Sequence, residues 1–305
     1  MITPHVLLFA DVDFTIVDVI HEYVSFVGTF FIVGAASFYF LLLRPALADS
    51  SPALTIAART AARIGVIGGL LRLLSILMSV IGRMNEKHLT LIDVLSRNHN
   101  IVIGFIVTIA AILAFAAAGF AASNLRLAWA IAAIATLFIA LRGVITTDLE
   151  HVVNPLHVFA ASMWIGTLFV LVVAGISTAM KGALREGEAG PAVAAMVHRF
   201  TTLALCSAGV LVLTGVTTAW LHLRKFSALW TSIYGETLLV KLCLVAVVFF
   251  LGGYNNWKVK PSLGPDDSNR RIYRTATWEI SVAAIVLIVT AVLVNLPAPS
   301  EHMAH

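Results

Sequence analysis

The sequence predicts an all-α membrane protein, a bundle of about eight transmembrane helices, from two observations. Hydrophobic residues make up 60% of the 305 residues and charged residues only 12%, and the mean hydropathy is +0.96. Soluble domains are nearer half apolar and a quarter charged. The apolar residues also form long stretches, many of them close to the roughly 20 residues that a helix needs to cross the hydrocarbon core. This composition excludes an ordinary soluble domain.

The helices can be placed from the gaps between charged side chains. The predicted spans are 19–43, 58–82, 101–122, 125–142, 154–179, 197–221, 236–256 and 276–296. The second span carries Arg72 at mid-depth, to which the sequence assigns no role. Between the second and third spans, HLTLIDVLS (88–96) has apolar residues at helical spacing and is predicted to lie along the membrane interface.

Basic residues in the loops predict the orientation. With both termini outside, six Lys and Arg fall in outer loops and twelve in inner loops; the inner ones are Arg44, Arg59, Arg63, Arg126, Lys181, Arg185, Arg199, Lys258, Lys260, Arg270, Arg271 and Arg274. Because cytoplasmic loops are enriched in these residues, the count predicts that both termini lie outside the cytoplasm. The net charge of +4 then reflects basic loops facing membrane lipid, and no nucleic-acid partner is expected.

Two stretches of the sequence echo one another. IHEYVSFVGTFF (20–31) and LHVFAASMWIGTLF (156–169) each place a histidine seven to nine residues before Gly-Thr. Four spans follow from each starting point. The echo predicts two four-helix halves, residues 1–150 and 151–305, related by an axis along the membrane normal.

Ionisable residues in the predicted spans cluster towards the outer face. His157 lies about one turn below that surface, His21 has a similar depth in the first span, and Lys241 lies about five residues into the seventh. Such groups are costly in a membrane and indicate function by default, although a histidine in the headgroup region remains an alternative. Other candidates on this side are His151, His222, Glu236 and Trp220, with Trp164 beneath as a floor.

These side chains include possible metal ligands. Imidazole binds copper, zinc and iron, and thioether sulfur favours Cu(I). Met163 lies in the fifth span, on a different helical face from His157. The C-terminal segment SEHMAH adds His302, Met303 and His305. The sequence therefore predicts a metal pathway in the outer half of the bundle.

The last three spans contain a distinctive set of residues: Thr214, Gly215, Trp220, Tyr234, Gly235, Lys241, Asn255, Glu279 and Pro297, with Leu156, His157, Trp164 and Gly166 upstream. In these positions the chain resembles the CopD copper-resistance family of bacterial inner-membrane proteins, which implies that the two outside termini are periplasmic. The resemblance covers about residues 154–297. It implies an eight-span protein of copper homeostasis that moves copper ions and is a transporter rather than an enzyme, with a periplasmic copper-binding protein as a possible partner. Many members have Gly-His-Ala before the fifth span, where this chain has RGVITTDLEHVV (142–153).

Lys241 leaves two alternatives open. A cation at the depth of His157 and His21 would repel copper unless it were neutral or turned away. A His and a Lys on neighbouring helices also resemble the HemJ-type protoporphyrinogen oxidases, which implies haem b with the histidine as an axial ligand. The other alternative is an accessory subunit of a membrane complex that binds no metal.

Overall fold

The computed structural model describes residues 15–47, 51–120, 126–141, 149–180, 189–223, 227–254, 257 and 266–297. These residues form helices without any strand, so the predicted all-α class is confirmed. In chain order the helices are α1 (Ile16–Ala46), α2 (Pro52–Lys87), α3 (Leu91–Arg97), α4 (His99–Phe120), α5 (Arg126–Leu141), α6 (149–180), α7 (Ala189–Leu223), α8 (Ala228–Thr231), α9 (Ile233–Tyr254) and α10 (Asp266–Val294).

The long helices match the predicted membrane spans. In the described part of the chain, seven helices are long and apolar enough to cross a membrane: α1, α2, α4, α6, α7, α9 and α10. The fourth predicted span corresponds to α5, an apolar helix of 16 residues that is shorter than the usual crossing length of about 20. The polytopic helical bundle is therefore confirmed, with seven long helices and this shorter one in the eight predicted positions.

Two local signals set the corner between α2 and α3. His88 ends α2 in the left-handed conformation, with φ at 49°, and its N–H donates to the carbonyl of Met84. Thr90 and Asp93 then form a reciprocal cap at the start of α3. The Asp93 N–H donates to Thr90 Oγ1 at 3.2 Å, and the Thr90 N–H donates to Asp93 Oδ2 at 3.1 Å. The short helix predicted within 88–96 is present.

Helices α1 and α6 form the centre of the bundle. In their most apolar 18-residue windows, 72% and 67% of the residues are buried, against 11% in α7 and in α9. The exposed side chains of the outer helices are mostly large and apolar, as expected where the surrounding solvent is lipid. The first helix of each predicted half thus lies inside, and the other long helices surround this pair.

Glycines bring α1 and α6 into close contact. A Cβ atom on Gly34 would collide with the backbone of Gly166, and one on Gly166 would collide with the Phe30 carbonyl. Small residues at such crossings let helices approach closely in membranes. Next to this crossing the Phe31 and Phe169 rings stack with centroids 4.7 Å apart. These two phenylalanines end the echoing segments, but the division into halves at residue 150 remains a prediction.

Both central helices contain π-helical turns, which the sequence did not predict. They span Phe38–Leu43 in α1, and Ser162–Gly166 and Leu171–Ile176 in α6. A π-turn accommodates an extra residue and so rotates the side chains that follow it. The first turn of α6 contains Trp164, and the turn in α1 contains Tyr39, whose ring stacks on Trp129 of α5 at 3.9 Å. Such turns are frequent at functional sites.

Candidate functional site

His157 of α6 lies against a Thr-Gly pair of α7. Its Nδ1 atom is 2.9 Å from Thr214 Oγ1. Gly215 follows Thr214 in the chain, and a Cβ atom added to this glycine would lie 3.4 Å from His157 Cε1. The ring is half-buried, and Thr214 is 8% exposed. The hydroxyl therefore fixes one edge of the imidazole while the missing side chain of the glycine leaves room for its face.

The threonine hydroxyl favours one position for the ring proton of His157. Thr214 Oγ1 lies 2.7 Å from the Val210 carbonyl of its own helix, to which it can donate its hydrogen. With the hydrogen there, the same oxygen accepts from His157 in the tautomer that carries its proton on Nδ1. The Nε2 atom of a neutral ring keeps its lone pair. Histidines that bind metals commonly have this arrangement, in which the other ring nitrogen donates to a fixed acceptor.

Lys241 of α9 is near the same ring. It is half-buried, and its ammonium charge acts electrostatically on His157. The two residues that the sequence placed at matched depth are therefore within electrostatic range of each other.

A second group lies deeper along α6. Trp164 is seven residues after His157, which corresponds to about 10 Å along a helix, and it is 6% exposed. Its ring is 5.0 Å from that of Phe249 in α9. Glu279 of α10 is 2% exposed, and its Oε1 atom would lie 3.4 Å from a Cβ atom on Gly252, with the Trp164 ring 3.8 Å from the same point. A buried carboxyl group thus lies beside Trp164.

His21 has different neighbours. Its Nδ1 atom is 3.4 Å from Glu22 Oε1, and the backbone of Ser75 in α2 acts electrostatically on the ring. One turn deeper, Arg72 of α2 donates to Ser25 Oγ of α1 at 2.8 Å. The interactions of His21 therefore lie between α1 and α2, whereas those of His157 lie between α6, α7 and α9.

The remaining predicted residues are spread over several surfaces. Met163 faces α1, where its sulfur accepts a hydrogen bond from Ser37 at 2.8 Å. His222 hydrogen-bonds through Nδ1 to the Thr218 carbonyl at 2.9 Å, and its ring stacks on Tyr234. Trp220 is 59% exposed, and Glu236 is also exposed.

Four predicted ligands lie outside what the structure describes: the side chain of His151, and residues His302, Met303 and His305. Among the residues that it does describe, no group of three or more His, Cys, Asp or Glu side chains could hold a metal ion.

The sequence did not place Thr214, Gly215 or Glu279 in the site. Each was recognised only as a mark of the family resemblance. A glutamate within an apolar stretch and a Thr-Gly pair at the depth of His157 are sequence features that could have indicated the site. The sequence did not indicate which helices are neighbours.

Comparisons with known proteins bear on the same helices. Residues 194–293 match the family model described as Copper resistance protein D. The chain is also 30% identical, over 146 residues, to the Copper transport protein CutJ of Bacillus subtilis (strain 168). That match covers 48% of this chain, and the chain spans about a quarter, 25%, of the relative's length. No solved structure gives a significant match.

The resemblance predicted from the sequence is confirmed over the matched residues. That segment supplies Thr214, Gly215, Lys241 and Glu279, whereas His157 and Trp164 lie before it in the chain. The haem alternative gains no support from the comparisons.

Proposed function

We propose that this chain moves copper ions across the bacterial inner membrane and that His157 is a ligand near the outer end of the route. Three findings support the proposal: the long apolar helices, the match to Copper resistance protein D, and the similarity to a copper transport protein. Because the match covers only 25% of the relative's length, its whole activity is not carried over.

The arrangement of Thr214 and Gly215 around His157 is the observation that carries this proposal. Both residues come from the segment that matches the family model, and the Thr214 hydroxyl holds a histidine from another helix. A histidine that merely lay in the headgroup region would not need a buried hydroxyl acceptor. A ligand, in contrast, benefits from a fixed ring orientation and a defined tautomer.

One imidazole is a suitable ligand for an ion that must pass. Conduction requires binding strong enough to admit the ion and weak enough to release it. Imidazole nitrogen binds copper, and Nε2 carries the lone pair in the geometry described. The positive charge of Lys241 beside the ring opposes a bound cation and therefore shortens its residence.

The proposed orientation follows from the loop charges. With both termini in the periplasm, His157 lies near the periplasmic surface, where a copper-binding protein could deliver the ion. A reporter active only in the periplasm should be active when fused after His305 and inactive when inserted at 264–268. The reverse pattern would place His157 near the cytoplasm and reverse the proposed route.

Copper accumulation by cells tests the ligand role. His157→Ala should lower accumulation, or the copper phenotype of overexpression, at unchanged protein level in the membrane. We expect a comparable effect for His21→Ala, a milder one for His222→Ala, and an effect of removing His302, Met303 and His305 only at scarce copper. A ligand in the route limits every turnover, whereas terminal ligands only raise the local ion concentration. Unaltered accumulation in His157→Ala would make His157 an interfacial residue and favour the accessory-subunit alternative.

A further inference from the structure

A positively charged cavity lies at the corner where α2 passes into α3. It has a volume of about 190 Å³ and is lined by Arg83, Leu89, Arg97 and Asn98. A single water needs only about 10–15 Å³ of such space, so the cavity can admit a much larger polar group. Both arginines are exposed. The cavity is separate from the contacts of His157.

The position of Arg83 along α2 places the cavity at the depth of lipid phosphates. Arg63 and Arg83 are both exposed and are 20 residues apart on one continuous helix. That spacing corresponds to about 30 Å, the thickness of the hydrocarbon core. The two arginines thus bracket the apolar part of α2 at the separation expected for residues that reach opposite headgroup regions.

Helix α3 has the character of an interfacial helix. Val94 is fully buried, whereas Leu91 and Ile92 are 49% and 79% exposed. Exposed apolar side chains beside cationic ones are typical of short segments that lie in the plane of the interface. The apolar residues would contact acyl chains while the arginines face the phosphates.

The charge of the cavity favours an anion. Arg83 and Arg97 contribute two guanidinium groups, and Asp93 is the carboxylate that interacts with Arg97. Asp93 is already engaged, because its Oδ2 atom accepts hydrogen bonds from the amide and the hydroxyl of Thr90. Guanidinium groups bind phosphate through paired, charge-assisted hydrogen bonds.

We propose that Arg83, Arg97 and Asn98 form a binding site for the phosphate of an anionic phospholipid headgroup. The shared chemistry is that of a phosphate group, and the depth of the site and the apolar face of α3 favour a lipid over free phosphate. Such a site would fix the end of α2 and the orientation of α3 at the membrane surface. It does not depend on the copper function.

Lipid binding to the full chain tests this proposal. The purified protein is taken from vesicles of phosphatidylcholine containing phosphatidylglycerol, and bound phosphatidylglycerol is counted by native mass spectrometry. Arg83→Gln and Arg97→Gln should each weaken phosphatidylglycerol binding roughly tenfold, because each removes a charge-assisted hydrogen bond. Arg63→Gln, a matched change at the other end of α2, should retain the lipid bound at the cavity.

A second arm distinguishes the two sources of phosphate. Inorganic phosphate, titrated into the detergent-solubilised chain at millimolar concentration, should not displace phosphatidylglycerol. Displacement by inorganic phosphate at that concentration would overturn the lipid assignment. Equal phosphatidylglycerol binding in Arg63→Gln, Arg83→Gln and Arg97→Gln would overturn the site itself.

Discussion

Removing the Thr214 hydroxyl should impair copper transport while leaving the shape of the site almost unchanged. Thr214→Val keeps the branched side chain but removes the acceptor for His157 Nδ1, which is 2.9 Å away. Leaving a buried donor without a partner costs about 1–3 kcal/mol. The tautomer with a free Nε2 lone pair should therefore become less stable by that amount. Since about 1.4 kcal/mol corresponds to a factor of ten, the copper affinity of the protein should fall roughly five- to a hundredfold.

The assay is the initial rate of Cu(I) uptake into proteoliposomes at copper concentrations below saturation, with equal amounts of inserted protein. Thr217→Val is the matched control, because Thr217 lies three residues further along α7 and its hydroxyl bonds only to the Leu213 carbonyl of its own helix. Thr214→Ser retains a hydroxyl and should restore most of the rate. If Thr214→Val and Thr217→Val gave the same rate, the proposed role of the hydroxyl would be wrong.

Two further variants test the packing and the electrostatics. Gly166→Ala should lower the free energy of unfolding of the detergent-solubilised protein by about 1–3 kcal/mol, and its melting temperature with it. The added Cβ would collide with the Phe30 carbonyl of α1. Gly209→Ala, where the added Cβ has open space, is the control, and equal melting temperatures would contradict the close crossing. Lys241→Met should tighten copper binding at His157, because it removes a repelling charge. Competition with a Cu(I) chelator measures this affinity. Weaker binding would instead identify Lys241 as part of the ligand environment.

The sequence predicted the helices well because the membrane imposes a strong constraint. All eight predicted spans coincide with helices, and the largest errors are at the ends. The second span was placed at 58–82, whereas α2 is Pro52–Lys87. The helix continues past the charges that ended the prediction because arginines at headgroup depth do not interrupt backbone hydrogen bonding.

The candidate site could be predicted only in part. Depth along each helix is readable from the sequence, and it brought His157 and Lys241 into one hypothesis. Which helices are neighbours is decided by packing, such as the glycine contact between Gly34 and Gly166, and that information is not local. His21 therefore has the predicted depth, yet its described neighbours are in α1 and α2.

The π-helical turns were also beyond prediction from sequence. Ser162–Gly166 has no proline or paired breaker that would mark it, and its geometry depends on how α6 packs against α1. That turn includes Trp164 and helps to orient the Trp164 ring towards α9 and Glu279. A pattern of apolar residues at a regular helical period cannot contain this information.

Copper uptake by proteoliposomes that contain only this chain tests the central claim most directly. Purified wild-type protein and His157→Ala are inserted at equal density, and the initial rate of Cu(I) entry is compared with that of protein-free vesicles. We expect wild-type vesicles to take up copper well above the protein-free rate and His157→Ala to lose most of that excess. Wild-type vesicles no faster than empty ones, or a His157→Ala variant as fast as the wild type, would contradict a copper route through His157.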